Sequence, residues 1–209
     1  MSGLLAAGPA GCLRGTLPPR EYYRLSPADS VTNAPRAVSA PPLRGSVGVR
    51  VYDTPGIYGS GALVYRVGTT SYGAYPSREW AIPLGEMLGA LTQEIVQRRG
   101  LTSGRVAFDA PDSKNQPYEW RGTVREFDEV DDPTAVSASV SLGAQLVRVA
   151  DDSVIWSGVV RESQAVVETR SIESVVAALS AAASRAIARL ADEAATDLRR
   201  LAAAGARGR

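Results

Sequence analysis

The chain has 209 residues, enough for one domain with a real hydrophobic core, and a formal net charge of +1. This balance provides no global field for nucleic acid, and no nucleic-acid partner is predicted. The absence of histidine removes the commonest general base and metal ligand, together with every serine–histidine or cysteine–histidine nucleophile pair. A single cysteine excludes an internal disulfide and a cysteine-rich zinc site, so no metal or other cofactor is predicted.

Residues 1–12 resemble the end of a bacterial lipoprotein signal. A short apolar run at 4–7 leads through Ala10 and Gly11 to Cys12, which such signals convert into an acylated new N-terminus. The run is short for export, no basic region precedes it, and Pro9 stands where leucine is usual. Two hypotheses fit: a lipidation site at Cys12 with a translation start further upstream, or a cytosolic N-terminus with an incidental cysteine.

Residues 13–46 are rich in proline, serine, alanine and arginine, a composition that cannot bury enough apolar surface to fold alone. They predict a flexible tether or a segment that follows the surface, with one short edge strand around Tyr22 and Tyr23. Residues 47–204 are the predicted folded domain, and 205–209 a disordered tail.

Periodicity predicts the elements of the domain. Alternating apolar residues favour strands at 47–52, 63–67, 71–75, 105–108, 118–130, 136–146 and 154–160. One helix is predicted between Pro83 and Gly100, residues that favour a helix start and a helix end. A second, at about 172–204, would reach roughly 45–50 Å, and its excess length and alanine-rich faces suggest a homo-oligomer. Together they predict an α+β fold, a two-layer domain with a mostly antiparallel sheet and two amphipathic helices on one face.

Residues 49–100 hold five of the eight tyrosines and one of the three tryptophans. Tyr and Trp offer large, rigid contact areas, and Arg is enriched beside them at interaction sites. The predicted partner-binding residues are Tyr65, Arg66, Tyr72, Tyr75 and Trp80. The same residue types also favour strands and cores, so packing inside the fold is the other interpretation, which we prefer for Trp80 between sheet and helix.

The acidic residues need a separate test, because paired carboxylates can hydrolyse glycosidic bonds. Five lie just before Pro133: Glu126, Asp128, Glu129, Asp131 and Asp132. Their position predicts a solvated turn, and Asp151-Asp152 predicts a tight hairpin turn. No catalytic residue is predicted, and a carboxylate-dependent envelope hydrolase is kept as the enzymatic alternative.

The order of these features resembles a known family. After Cys12 come Tyr22-Tyr23-Arg24-Leu25, the strand 47–52, then GALVYR, SYGAY, Trp80 and a helix. A hairpin around Asp151-Asp152 and an alanine-rich helix follow. This order resembles the auxiliary lipoproteins of ABC-type transport systems, the PqiC-type proteins encoded with mammalian-cell-entry (MCE) domain lipid transporters. The resemblance covers roughly residues 12–204.

The resemblance implies a non-enzymatic lipoprotein on the periplasmic side of a Gram-negative envelope, attached to the outer membrane through an acylated Cys12. It implies an MCE-domain protein and an ABC permease of the same system as partners, which move phospholipid or a related lipid between membranes. A lipoprotein that supports outer-membrane assembly is the non-enzymatic alternative.

Overall fold

The computed structural model describes residues 19–28, 31, 40–108, 116–132, 134–169 and 171–207. These residues form one eight-stranded sheet and two long helices. In chain order the elements are β1 (Glu21–Tyr23), β2 (Val47–Val49), a 3-10 helix (Gly56–Ser60), β3 (Ala62–Val67), β4 (Ser71–Trp80), α1 (Leu84–Arg99), β5 (Val106–Phe108), β6 (Tyr118–Asp132), β7 (Ala135–Arg148), β8 (Ser153–Ala165) and α2 (Ile172–Arg207). The predicted fold class is confirmed.

The sheet is organised around β6. Along one side β6 pairs antiparallel with β7 over its whole length, and β7 pairs with β8 in the same way. Along the other side β6 borders two short parallel strands, β2 near its start and β3 near its end, where Tyr65 lies beside Glu129. β5 lies outside β2, while β4 and then β1 lie outside β3. The last residues of β6 therefore position the β3–β4 hairpin.

The pairing of β6 with β7 contains one irregularity. Val124 pairs with Leu142 and Glu126 pairs with Ser141, so Arg125 has no partner of its own in β7. Such an extra residue is a β-bulge, which bends the strand and changes where the following side chains point.

The bulge decides which β6 side chains enter the core. Trp120 and Val124 face the helices before the bulge and Phe127 faces them after it, and all three are buried. Without the extra residue, the strict alternation of a strand would turn Glu126 and Asp128 toward the apolar core instead. The bulge thus brings Phe127 into the core and turns Glu126 and Asp128 away from the helices.

α2 covers the β7 and β8 part of the sheet with an alanine-rich face. Its small side chains allow close approach, and buried residues such as Leu179, Ile187 and Leu190 each stabilise the fold by about 1.5–3 kcal/mol. By length and composition Ile172–Gly205 is the one helix of the described residues that could cross a membrane, but 72% of its apolar window is buried, as in a core helix.

α2 also runs further than the sequence predicted, to Arg207 rather than to residue 204. The residues after Leu201 are mostly alanine, the strongest helix former, which explains the extension. These last turns leave the core, and Leu201 is 62% exposed.

Residues 19–28, which the sequence assigns to the tether, lie against both helices. Tyr23 and Leu25 are partly buried against the core. The backbone N–H of Leu25 donates to the sulfur of Met87 in α1. That of Ser26 donates to the hydroxyl of Ser180 in α2. This segment and α2 enclose a groove of about 600 Å³.

The β7–β8 hairpin turns at Asp151 and Asp152, as predicted from this pair. Asp152 has a φ of 52°, in the left-handed region that Asp tolerates better than most residues. Asp151 accepts hydrogen bonds from the backbone and the hydroxyl of Ser153, which close the turn.

Candidate functional site

The predicted partner-binding residues all lie on β3 and β4, beside the end of β6. They are Tyr65, Arg66, Tyr72, Tyr75 and Trp80. Successive strand residues point to opposite faces of a sheet, so these residues do not form one surface. Two neighbouring carboxylates of β6 organise the two sides: Asp128 binds Arg66, and Glu129 binds Tyr75.

On the face away from the helices, Asp128 is fully buried and bonded through both carboxylate oxygens. One accepts a hydrogen bond from the Tyr58 hydroxyl at 2.8 Å, and the other accepts from Nε of Arg66 at 2.9 Å. The bond to Asp128 raises the pKa of the Arg66 guanidinium, which therefore remains charged. Arg66 also lies 5.9 Å from the ring centre of Tyr72, a favourable cation–π distance. These contacts connect a buried carboxylate to a tyrosine that is 46% exposed.

On the helix side, Glu129 is buried and accepts a short hydrogen bond from the Tyr75 hydroxyl. Burial raises the pKa of the Glu129 carboxyl, and the hydrogen bond from Tyr75 opposes this shift without cancelling it. The Tyr75 ring contacts the Tyr65 ring, with 5.1 Å between their centres. Gly73 leaves room for Tyr65, because a Cβ there would lie 2.4 Å from the tyrosine Cζ.

Trp80 belongs to the core rather than to either surface. Its side chain is buried and meets the Phe127 ring edge-on, with 5.9 Å between the ring centres. The contact joins the end of β4 to the buried face of β6. Trp80 therefore positions the hairpin from within the fold, and its partner-binding role stays a prediction that its burial does not favour.

The acidic residues before Pro133 are not the solvated turn that the sequence predicted. β6 continues to Asp132, and both Asp128 and Glu129 are buried inside it. The prediction was wrong because β6 remains paired here with β7 on one side and with β3 on the other, so these residues lie inside the sheet. A sequence signal existed, since Phe127 is out of step with the apolar residues earlier in the strand.

Sequence analysis also missed Tyr58, which lies in the turn-rich segment before β3 and binds Asp128. Its only signal was the position of a single aromatic residue among glycines.

In this arrangement, the two buried carboxylates hold neighbouring side chains in position. Glycosidases need two carboxylates facing one cleft, whereas Asp128 and Glu129 point to opposite faces and each binds a tyrosine. Within the described ranges, no group of three or more acidic or cysteine side chains could hold a metal ion. What the site presents outward is Tyr72 with Arg66 beside it. Cys12, the predicted lipidation site, lies outside the described residues.

A family model for the "ABC-type transport auxiliary lipoprotein component" matches residues 23–195. Among solved structures, a protein from Xanthomonas campestris has a TM-score of 0.70 at 17% identity, with 87% of this chain and 99% of that chain covered. An uncharacterized protein has a TM-score of 0.56 at 14% identity, with 88% and 99% covered. These two likenesses show the fold. Among curated proteins, none matches this chain.

Replacing Asp128 by asparagine is expected to lower the free energy of unfolding by at least about 1.5 kcal/mol, because a hydrogen bond to a charged group is worth about 1.5–3 kcal/mol. The change also removes the counter-ion of the mostly buried Arg66. Urea unfolding at neutral pH measures the effect. The matched control is Asp131→Asn, at an exposed position of the same strand, with an expected change within about 0.5 kcal/mol. Equal losses in the two variants would contradict the anchoring role.

The buried carboxyl of Glu129 is expected to make the free energy of unfolding depend on pH. Because burial raises its pKa in the folded state, the unfolded chain ionises first as the pH rises above the ordinary value of 4.5. The free energy of unfolding should therefore fall with rising pH relative to Glu129→Gln, which keeps an acceptor for Tyr75. Urea unfolding from about pH 3 to pH 7 measures both proteins.

Asp151 is the control for this pH series, because the pH dependence of its contribution to stability has the opposite sign. Hydrogen bonds from Ser153 lower the pKa of Asp151, so its contribution to stability is present above 3.8 and is lost as the pH falls below that value. Asp151→Asn should remove this loss and leave the Glu129 effect intact. Parallel stability curves for the wild type and Glu129→Gln would show that the Glu129 carboxylate is not penalised by burial.

Proposed function

The chain belongs to the family of ABC-type transport auxiliary lipoprotein components, and on that premise we propose that it is a non-enzymatic lipoprotein of an MCE-type system. Such a system moves phospholipid or a related lipid across the bacterial envelope. The observation that carries the proposal is the family match over residues 23–195, which includes the β3–β4 hairpin, its carboxylate anchors and most of α2. The resemblance to this family noted in the sequence is confirmed.

The proposed anchor is Cys12, acylated on the periplasmic side of the envelope at the outer membrane. Seven peptide links separate Cys12 from Pro19, the first described residue, and they span at most about 25 Å when fully extended. An anchored domain would therefore stay close to the lipid surface, with β1 and its groove nearest to the anchor. Two or three acyl chains give stable attachment, whereas one alone is marginal.

The proposed partner surface is the outer side of the β3–β4 hairpin, centred on Tyr72 and Arg66. The buried Asp128 fixes Arg66, so the surface loses little conformational freedom when a partner binds. Tyr65 and Tyr75 support the hairpin from the other face. The partners proposed for this surface are the MCE-domain protein or the ABC permease of the same system.

Self-association is proposed for the end of α2. Its last turns extend beyond the sheet and expose Leu201. Small alanine side chains there would allow a second helix to approach closely. This contact is distinct from the hairpin surface, so both can be used in one assembly.

The test is the intact mass of the protein from its native host, extracted with detergent from the membrane fraction. The expected mass is that of a chain beginning at Cys12 and carrying a diacylglyceryl group and an amide-linked acyl chain. Cys12→Ser, which leaves every described residue unchanged, should lose both groups and leave the membrane fraction. An unmodified wild-type chain that retains Met1 in the soluble fraction would remove the lipoprotein proposal. Co-purification with an MCE-domain protein and a permease would separate transport from outer-membrane assembly.

A further inference from the structure

The face of the sheet away from the helices carries a polar groove of about 460 Å³ across β6, β7 and β8. Its floor contains Gly143, where the missing side chain makes the sheet concave. Its lining includes the polar residues Thr123, Gln145 and Ser157. The groove lies outside the β3–β4 hairpin and shares no lining residue with it.

The β6 bulge places a cation over this groove. Arg125 is the extra residue of the bulge and is exposed. Its side chain lies across the floor, since a Cβ on Gly143 would be 3.3 Å from Nε of Arg125. Bulges commonly redirect a side chain in this way beside binding sites.

The charges at one end of the groove are neutralised within the protein. Arg121 forms ion pairs with Glu119 at 3.0 Å and with Asp152 at 2.8 Å, and Arg50 pairs with Glu119 at 3.8 Å, so two cations balance two carboxylates. The Arg121 guanidinium is therefore already paired with carboxylates of the protein.

The other end of the groove is neutralised in the same way. Arg161 pairs with Glu126, which also accepts a hydrogen bond from the Ser139 hydroxyl. Between these two paired ends, Arg125 forms no ion pair or hydrogen bond with any other residue of the described ranges. The groove therefore carries one uncompensated positive charge.

The polar side chains around Arg125 are free as well. The side chains of Thr123, Gln145 and Ser157 make no hydrogen bond to another residue in the part of the chain that the structure describes. Two hydroxyls, one amide and one guanidinium thus surround a single concavity, each with donors available. The two charged oxygens of a phosphodiester have lone pairs for all four of these donors, and its two ester oxygens add weaker acceptors on either side.

We propose that this groove binds the phosphate group of a phosphate ester, with Arg125 as its counter-ion and Thr123, Gln145 and Ser157 as hydrogen-bond donors. A single free guanidinium matches the single negative charge of a phosphodiester. Val159, 51% exposed at the rim, offers an apolar contact to the esterified alcohol. The phosphate can come from a lipid headgroup or from a soluble ester, since the chemistry of recognition is the same. The proposal does not depend on the partner surface of the hairpin.

The test is an NMR titration of the unacylated full chain with glycerophosphoglycerol, a soluble phosphodiester, and with inorganic phosphate. Saturable shifts are expected at the amides of Gly143 and Gly158. Arg125→Gln should weaken binding by at least about tenfold, consistent with loss of a charged hydrogen-bond donor. The control is Arg105→Gln, which removes an exposed arginine directly before β5 and outside the groove. It should leave the affinity within about twofold of the wild-type value. Equal weakening by both variants, or no saturable shift, would overturn the proposal.

A second pair of variants keeps the test independent of Arg125. Val159→Glu places a negative charge at the rim of the groove and should abolish phosphate binding. Val154→Glu is the matched control, on the same strand at 52% exposure but outside the lining, and should bind like the wild type. Retained binding by Val159→Glu would contradict the assigned location.

Vesicles of phosphatidylglycerol distinguish the two sources. If they compete with glycerophosphoglycerol for the wild type, and not for Arg125→Gln, the site accepts a lipid headgroup. If glycerophosphoglycerol binds and the vesicles do not compete, the site accepts a soluble phosphate ester. Both results support a phosphate site at Arg125.

Discussion

One extra residue in β6, Arg125, sets the orientation of every side chain that follows it in the strand. Before the bulge, Val124 points to the helices; after it, Phe127 does. This shift brings Phe127 into the core and sends Asp128 to the opposite face, where Tyr58 and Arg66 are available. A strand with strict alternation would bury an unpaired carboxylate among apolar side chains, at a cost of several kcal/mol.

The buried carboxylates explain why the hairpin is well positioned. A buried ion pair contributes little net stability, because desolvation offsets most of the attraction. Its effect is geometric: Asp128 accepts from two donors and so fixes Arg66 in one orientation, with Tyr72 beside it. Glu129 does the same for Tyr75 on the other face. The two buried acids therefore hold the aromatic residues of the hairpin in place on both faces of the sheet.

Much of the fold followed from periodicity. The alternation of β7, the apolar face of α1 and the turn at Asp151-Asp152 are local patterns, and local patterns can be read from neighbouring residues. The parallel pairing of β2 and β3 with β6 joins strands that are far apart in the chain, so it produces no pattern among neighbouring residues. The bulge left only an indirect signal, the change of step at Phe127, because its position depends on the pairing with β7.

The same contrast between local and non-local information applies to the candidate site. Aromatic composition identified the β3–β4 hairpin, because tyrosines cluster there in sequence as well as in space. It did not identify the anchors, Asp128 and Tyr58, which lie 70 residues apart in the chain. Trp80, for which the sequence favoured packing between sheet and helix, lies inside in a T-shaped contact with Phe127. Burial depends on which residues pack on both sides, and composition alone does not contain that information.

We propose the anchored β3–β4 hairpin as the contact surface of this auxiliary lipoprotein. The most direct measurement is photo-crosslinking in the native envelope, with a photoreactive phenylalanine derivative at position 72 and, as a control, at position 22. Both positions hold exposed tyrosines, 46% and 58% exposed, but Tyr22 lies on β1 away from the Arg66 contact. If the hairpin is the contact surface, position 72, and not position 22, should crosslink to a component of an ABC transport system. No crosslink from position 72, or the same products from both positions, would contradict it.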